Sequence, residues 1–142
     1  MNAPAKLGPD HYRYRESGDS DGVTLVCLRF VVVGETTHYW YVASKSDADH
    51  AQVMGENWLK KHRRKVSKGG ARIQHCYADR MKALRSFQQR KARHLSHIEF
   101  ALATAKAAKD KAEELIAAGD APLKDTDCGT PDYYQGLHWG DC

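Results

Sequence analysis

From His11 to Ala43 apolar and polar residues alternate in short runs, the pattern of strands that bury one face. His11-Tyr12-Arg13-Tyr14-Arg15 reads as a short strand, and Glu16–Gly22 is dense in turn formers. Val23–Val33 is long, β-branched and apolar on both alternating faces, which predicts the central strand. Gly34-Glu35 fits a tight hairpin turn with Gly at its first central position. Thr36–Ala43 follows as a third strand, so this half of the chain predicts an antiparallel meander.

After Ser46 the period lengthens. Ser46 is the candidate N-cap, with Asp47 and Asp49 in the first turn. Ala51, Met54, Trp58 and His62 recur at helical spacing, predicting a helix over Asp47–Arg64 in which Gly55 costs about 1 kcal/mol relative to Ala. Val66–Ala71, with Gly69-Gly70, reads as a turn, and Arg72–Tyr77 as a returning fourth strand. Asp79 caps the last element. From Arg80 to Ala118 there is no Gly or Pro, and Gly119 and Pro122 then stop the helix. The fold class is α+β: a three- to four-stranded antiparallel meander with one short helix and one long C-terminal helix. The expected organisation is a flexible arm over 1–10, one α+β domain over 11–118 that includes the basic helix 79–118, and an extended acidic and aromatic tail over 119–142.

The long helix carries a seven-residue register. Leu84, Lys91, Ile98, Ala105 and Ala112 share one seam position, and Phe87, His94, Ala101, Ala108 and Leu115 the other. Self-association through Ile98, Ala101, Ala105, Ala108, Ala112 and Leu115 predicts a homodimer. The alternative is that this face folds back on the meander and the first helix.

The 142 residues suffice for one domain with a real core. No run approaches the roughly 18 apolar residues of a membrane span, and Met1–Pro9 lacks the apolar core of a secretory signal, so a cytoplasmic protein is expected. Cys27 and Cys76 lie in strand-like runs and are expected as buried small hydrophobes. The net charge of +4 conceals a sharp pattern: residues 1–57 sum to −3, 58–93 to +12 and 94–142 to −5. A field concentrated in this way gathers anionic partners.

The order of short motifs along the chain also carries a likeness. It runs through Tyr39-Trp40-Tyr41-Val42, His62-Arg63-Arg64-Lys65-Val66-Ser67-Lys68, Cys76-Tyr77-Ala78, Ala83-Leu84-Arg85-Ser86-Phe87 and Arg90-Lys91-Ala92-Arg93. Over about residues 22–118 this resembles small uncharacterised proteins of tailed phages and prophages of Gram-negative bacteria. That family has no assigned activity and no catalytic residues to transfer. The chain departs from its pattern where a Pro often follows the aromatic strand and Ala78-Asp79 stands here. The resemblance implies a context in which small proteins bind and disable a host machine.

The candidate binding residues are Lys60, Lys61, Arg63, Arg64, Lys65, Lys68, Arg72, Arg80, Lys82, Arg85, Arg90, Lys91 and Arg93. Spread over several elements, they suit phosphate contact better than base readout; an acidic patch on a host protein is a second functional reading, and a solvated charged face the competing one. Tyr39 and Tyr41 share one face of their strand and could stack bases, whereas Trp40 shares the other with His38 and Val42 and is expected in the core. Cys128, His138, Asp141 and Cys142 match no zinc spacing, His94 and His97 are a bare i, i+3 pair, and no cofactor is expected. No phosphate loop or nucleophile motif is present; His38, His62, His75 and Glu35 would have to meet in space to make a catalytic centre.

The resulting expectation is a non-enzymatic phage-type binding protein. It would engage a host nucleic-acid-handling or defence complex through its basic surface, as an anti-CRISPR or anti-restriction protein would. A nucleic-acid-binding accessory protein is the alternative, and a small metal-dependent nuclease the third.

Overall fold

The computed structural model describes residues 6–70 and 73–130. Its frame is the strand β2 (Gly22–Glu35), flanked by β1 (His11–Asp19) and by β3 (Tyr39–Ser44), with β4 (Arg64–Ser67) beyond β3. All neighbours are antiparallel, so the α+β meander is present and has four strands. The helices are α1 (Lys45–Met54), α2 (Glu56–His62) and α3 (Arg80–Ala118).

Several boundaries differ from the sequence reading, each for a local reason. β1 runs four residues past Arg15, because Glu16–Asp19 pair with Leu25–Gly22 and only Ser20 and Asp21 turn. Two-residue loops match the twist of paired strands, and Asp19 Oδ1 accepts from the Asp21 N–H at 2.9 Å. Gly34-Glu35 is strand rather than turn. The β2–β3 register shifts between Val32 and Gly34, a bulge, and the reversal falls at Thr36–His38. There Thr36 N donates to Tyr39 O at 2.8 Å.

The first helical segment is two helices. Gly55 has φ 87°, a left-handed conformation that breaks the run between α1 and α2. The N-cap is Ser44, not Ser46: its Oγ accepts from Asp47 N at 3.1 Å and donates to the Asp47 carboxylate at 2.9 Å. The fourth strand lies at Arg64–Ser67, where the end of the helix and the start of a turn were expected. Of Arg72–Tyr77, among the described residues 73–77, only Tyr77 pairs, through a single bridge to Tyr12 with N–O distances of 2.7 and 3.0 Å. Arg72 lies outside the described residues.

One face of the sheet forms the core. Phe30, Val32, Val42, Val66 and Cys76 are buried together, with Leu28 and Trp40 packed against them. The chain returns over this face along residues 74–79. Arg13 Nη1 donates to His75 O at 2.6 Å, and Gln74 Oε1 accepts from Ser67 N at 3.2 Å. Ala83 and Ser86, in the first turns of α3, are also buried. His11 is buried at 3 % exposure, and that desolvation pushes its ring below the ordinary 6.5. The neutral ring is therefore the folded form; the stability it contributes is present above pH 6.5 and is lost on acidification below it.

Asp79 caps α3 as expected, its Oδ1 accepting from Met81 N at 2.8 Å. The helix runs unbroken for 39 residues, about 58 Å. At its end Gly119 takes φ 69°, Gly119 N donates to Ile116 O at 3.1 Å and Asp120 N to Leu115 O at 3.0 Å, a Schellman closure. By contact the chain groups into two compact units, Met1–Gln89 and Arg90–Cys142, and α3 contributes to both. Among the described residues no helix is long and apolar enough to cross a membrane.

Cys76 is fully buried, as expected, and burial pushes its thiol up to about 12. Cys27 is exposed, against expectation, because the first half of β2 extends beyond the core: Val23 is 79 % and Leu25 51 % exposed. Two measurements check these assignments. In urea denaturation Ser44→Ala should cost about 1 kcal/mol while Ser46→Ala stays within about 0.5 kcal/mol of the parent. At pH 8 iodoacetamide, followed by peptide mass spectrometry, should label Cys27 and Cys128 on the order of a hundredfold faster than Cys76.

Candidate functional site

Strand β4 has a single apolar residue, Val66, and it stands opposite Trp40 on the core face. Side chains alternate along a strand, so Lys65 and Ser67 must share the opposite face with Tyr41 and Tyr39. Arg63, in extended conformation just before β4, continues the row. The cations then reach diagonally onto the rings. The Arg63 guanidinium carbon lies 4.1 Å from the Tyr41 ring centre, and Lys65 Nζ lies 3.9 Å from that of Tyr39. The result is a ladder of two tyrosines and two cations on one sheet face.

Around the end of the same strand pair lies a cleft of about 450 Å³, lined by Lys61, His62, Arg63 and Arg64 with Ser44, Asp47, His75 and Phe30. Its one carboxylate, Asp47, is already engaged by the Ser44 hydroxyl and by its place in the first turn of α1. Among the described residues Lys60, Lys61, Arg63, Arg64 and Lys65 have no carboxylate within salt-bridge distance. Among the described residues this group of cations is therefore locally uncompensated.

The remaining basic positions divide. Lys68 pairs with Glu35 at 2.8 Å and lies 4.2 Å from the Trp40 ring. Together with Lys82 it lines a smaller cavity of about 180 Å³ over Cys76 and Trp40. Arg80 stands 5.8 Å from the Tyr12 ring. Arg85 is exposed on α3, whereas Arg90, Lys91 and Arg93 belong to the second unit. Trp40 packs on the core cluster and is not part of a stacking platform, as expected.

Of the other candidates, His62 and His75 line the basic cleft together, while His38 and Glu35 are not among its lining residues. Glu35 is taken by Lys68, His62 stacks on Trp58 at 4.1 Å, and His75 meets the Phe30 ring edge-on at 5.4 Å. Among the described residues no three His, Cys, Asp or Glu side chains lie together to hold a metal ion. His138, Asp141 and Cys142, with Tyr133, Tyr134 and Trp139, lie outside the described residues. What sequence reasoning missed is the tyrosine–cation ladder. Its signal was the match between Tyr39-x-Tyr41 and Arg63-x-Lys65, two rows of period two that become visible as partners once β4 is known to be a strand.

Compared with family models, curated proteins and solved structures, the chain matches none.

The ladder sits on the surface and contributes little to folding. Exposed cation–π contacts are worth about 0.5–1 kcal/mol. Arg63→Gln and Lys65→Gln should therefore each shift the urea unfolding free energy by no more than about 1 kcal/mol.

Proposed function

We propose that the protein is a non-enzymatic binding protein that engages a host nucleic-acid-handling or defence complex, and that its basic surface meets the phosphate backbone carried by that complex. The observation that supports this most directly is the row of Arg63 and Lys65 on Tyr41 and Tyr39 beside the cleft of Lys61 and Arg64. Cations held on aromatic rings stay available to phosphates, and rings next to them offer faces on which unpaired bases stack. The resemblance to phage and prophage proteins supplies the context of a host target, of the anti-CRISPR or anti-restriction kind. The ladder also favours a second reading, in which a single-stranded nucleic acid is bound directly without a protein partner.

Lysate capture with and without nuclease separates the two. A stoichiometric host complex that survives nuclease supports the first reading, and nucleic acid alone supports the second. In either case the triple variant Arg63→Glu, Arg64→Glu, Lys65→Glu should abolish binding while leaving the melting temperature nearly unchanged. Neutralising the same three positions to Gln should lower the slope of log affinity against log salt by about 3. Unchanged binding by the triple Glu variant would refute the basic surface as the contact.

A further inference from the structure

Within the second unit, apolar residues of α3 recur at alternating steps of three and four: Leu95, Ile98, Leu102, Ala105, Ala112 and Ile116. Only Lys109 interrupts the row. The large members are in water: Leu95 is 57 %, Ile98 48 %, Leu102 53 % and Ile116 78 % exposed. This stripe differs from the seam read from the sequence. It keeps Ile98, Ala105 and Ala112, but Ala101, Ala108 and Leu115 fall to its flank, and Leu115 is already half-buried. Of the chain after α3, the described residues Cys128, Gly129 and Thr130 line a groove with Ala103, Ala107 and Asp110. Those helix positions are on the side away from the stripe.

A repeat of 3.5 residues is the signature of a helix that pairs with another helix. Size and charge choose the partner and its direction. In a parallel pair Lys109 would meet Lys109, and Ala105 and Ala112 would meet their own copies across a thin seam. In an antiparallel pair Leu102 can face Ala105, Leu95 can face Ala112, and Ile98 can cover the aliphatic stem of Lys109. Large then meets small at each layer, the condition for close packing. The flanking charges select the same register. Glu99 of each copy comes beside Lys106 of the other, twice over. Sliding by one heptad in either direction brings Glu99 beside Glu99, or Lys106 beside Lys106 and Glu99 beside Glu113.

We propose that two copies of the chain pair through this stripe as a short antiparallel coiled coil, with Leu102 of each copy against Ala105 of the other.

Sedimentation equilibrium of the full chain tests this, with circular dichroism as the control for helix content. The wild type should show a monomer–dimer equilibrium, and Leu102→Glu should be monomeric with unchanged helicity. Glu99→Lys should weaken the dimer roughly tenfold by setting Lys against Lys at two symmetric contacts. Adding Lys106→Glu should restore it to within about threefold of wild type, which a parallel pair would not do. A single monomer mass across a wide concentration range would overturn the proposal. So would a dimer indifferent to Leu102→Glu, or a charge swap that fails to restore pairing.

Discussion

Val66 is 2 % exposed and faces Trp40 across the β3–β4 pair, the only apolar side chain that β4 contributes to the core. In a ladder of period two, one such anchor sets the direction of every neighbour. A slip by one residue would carry Lys65 into the space that Val66 fills and leave Val66 in water. Burying an unpaired ammonium costs far more than one valine gains on burial. The same contact that closes the core therefore aims Arg63 and Lys65 outward onto Tyr41 and Tyr39. Register in this short strand thus sets where the exposed cations stand as well as how the core closes.

Both units pair charges locally, the first through Lys6 with Asp10, Lys45 with Asp49 and Lys68 with Glu35, but one group of cations in the first stands apart. In the second, charges are matched locally along the helix: Lys109 with Glu113 at 2.8 Å and Lys111 with Glu114 at 3.1 Å. In the first, Lys60 to Lys65 sit together with no described carboxylate to balance them, although acidic residues are plentiful earlier in the chain. Like charges this close repel, by a modest amount in water and less with salt. A folding-only account has no use for that repulsion, since an exposed pair of opposite sign contributes at most about 1 kcal/mol and was available. The arrangement makes physical sense if the compensating charge arrives with a partner.

Long, strongly periodic segments were legible in the sequence. β2 is almost continuously apolar, α3 has 39 residues without Gly or Pro, and Asp79 and Gly119 mark its ends by their own chemistry. The weakly patterned middle was not. Four residues with one apolar member carry too little period to read as a strand, so β4 passed as helix end and turn. Gly55 was weighed as a cost within a helix, but its positive φ ends one helix and begins another. Ser44 and Ser46 are equally good caps in isolation, and only the end of β3 decides between them. The charged residues of the candidate site could be named from the sequence, but their assembly into a ladder depends on a strand pairing set by a tertiary contact.

Two surfaces of opposite physical character follow from this division. Binding at the basic surface of the first unit, as proposed, would rest on charge, which salt screens over about 10 Å at 0.1 M. Pairing through the stripe of the second unit, as proposed, would rest on apolar area, which salt weakens little or even favours. Their responses to salt thus separate what each does in one preparation. They are also linked through stoichiometry, since a chain that pairs through α3 brings two copies of the tyrosine–cation ladder to one assembly. A polyanion long enough to reach both would be held by an effective concentration in place of a second collision, and its affinity could exceed that of one copy by orders of magnitude without any new contact. A short polyanion would gain nothing. On these two proposals, a dependence of affinity on ligand length would report the pairing in α3, whereas a dependence on salt would report the surface around β4.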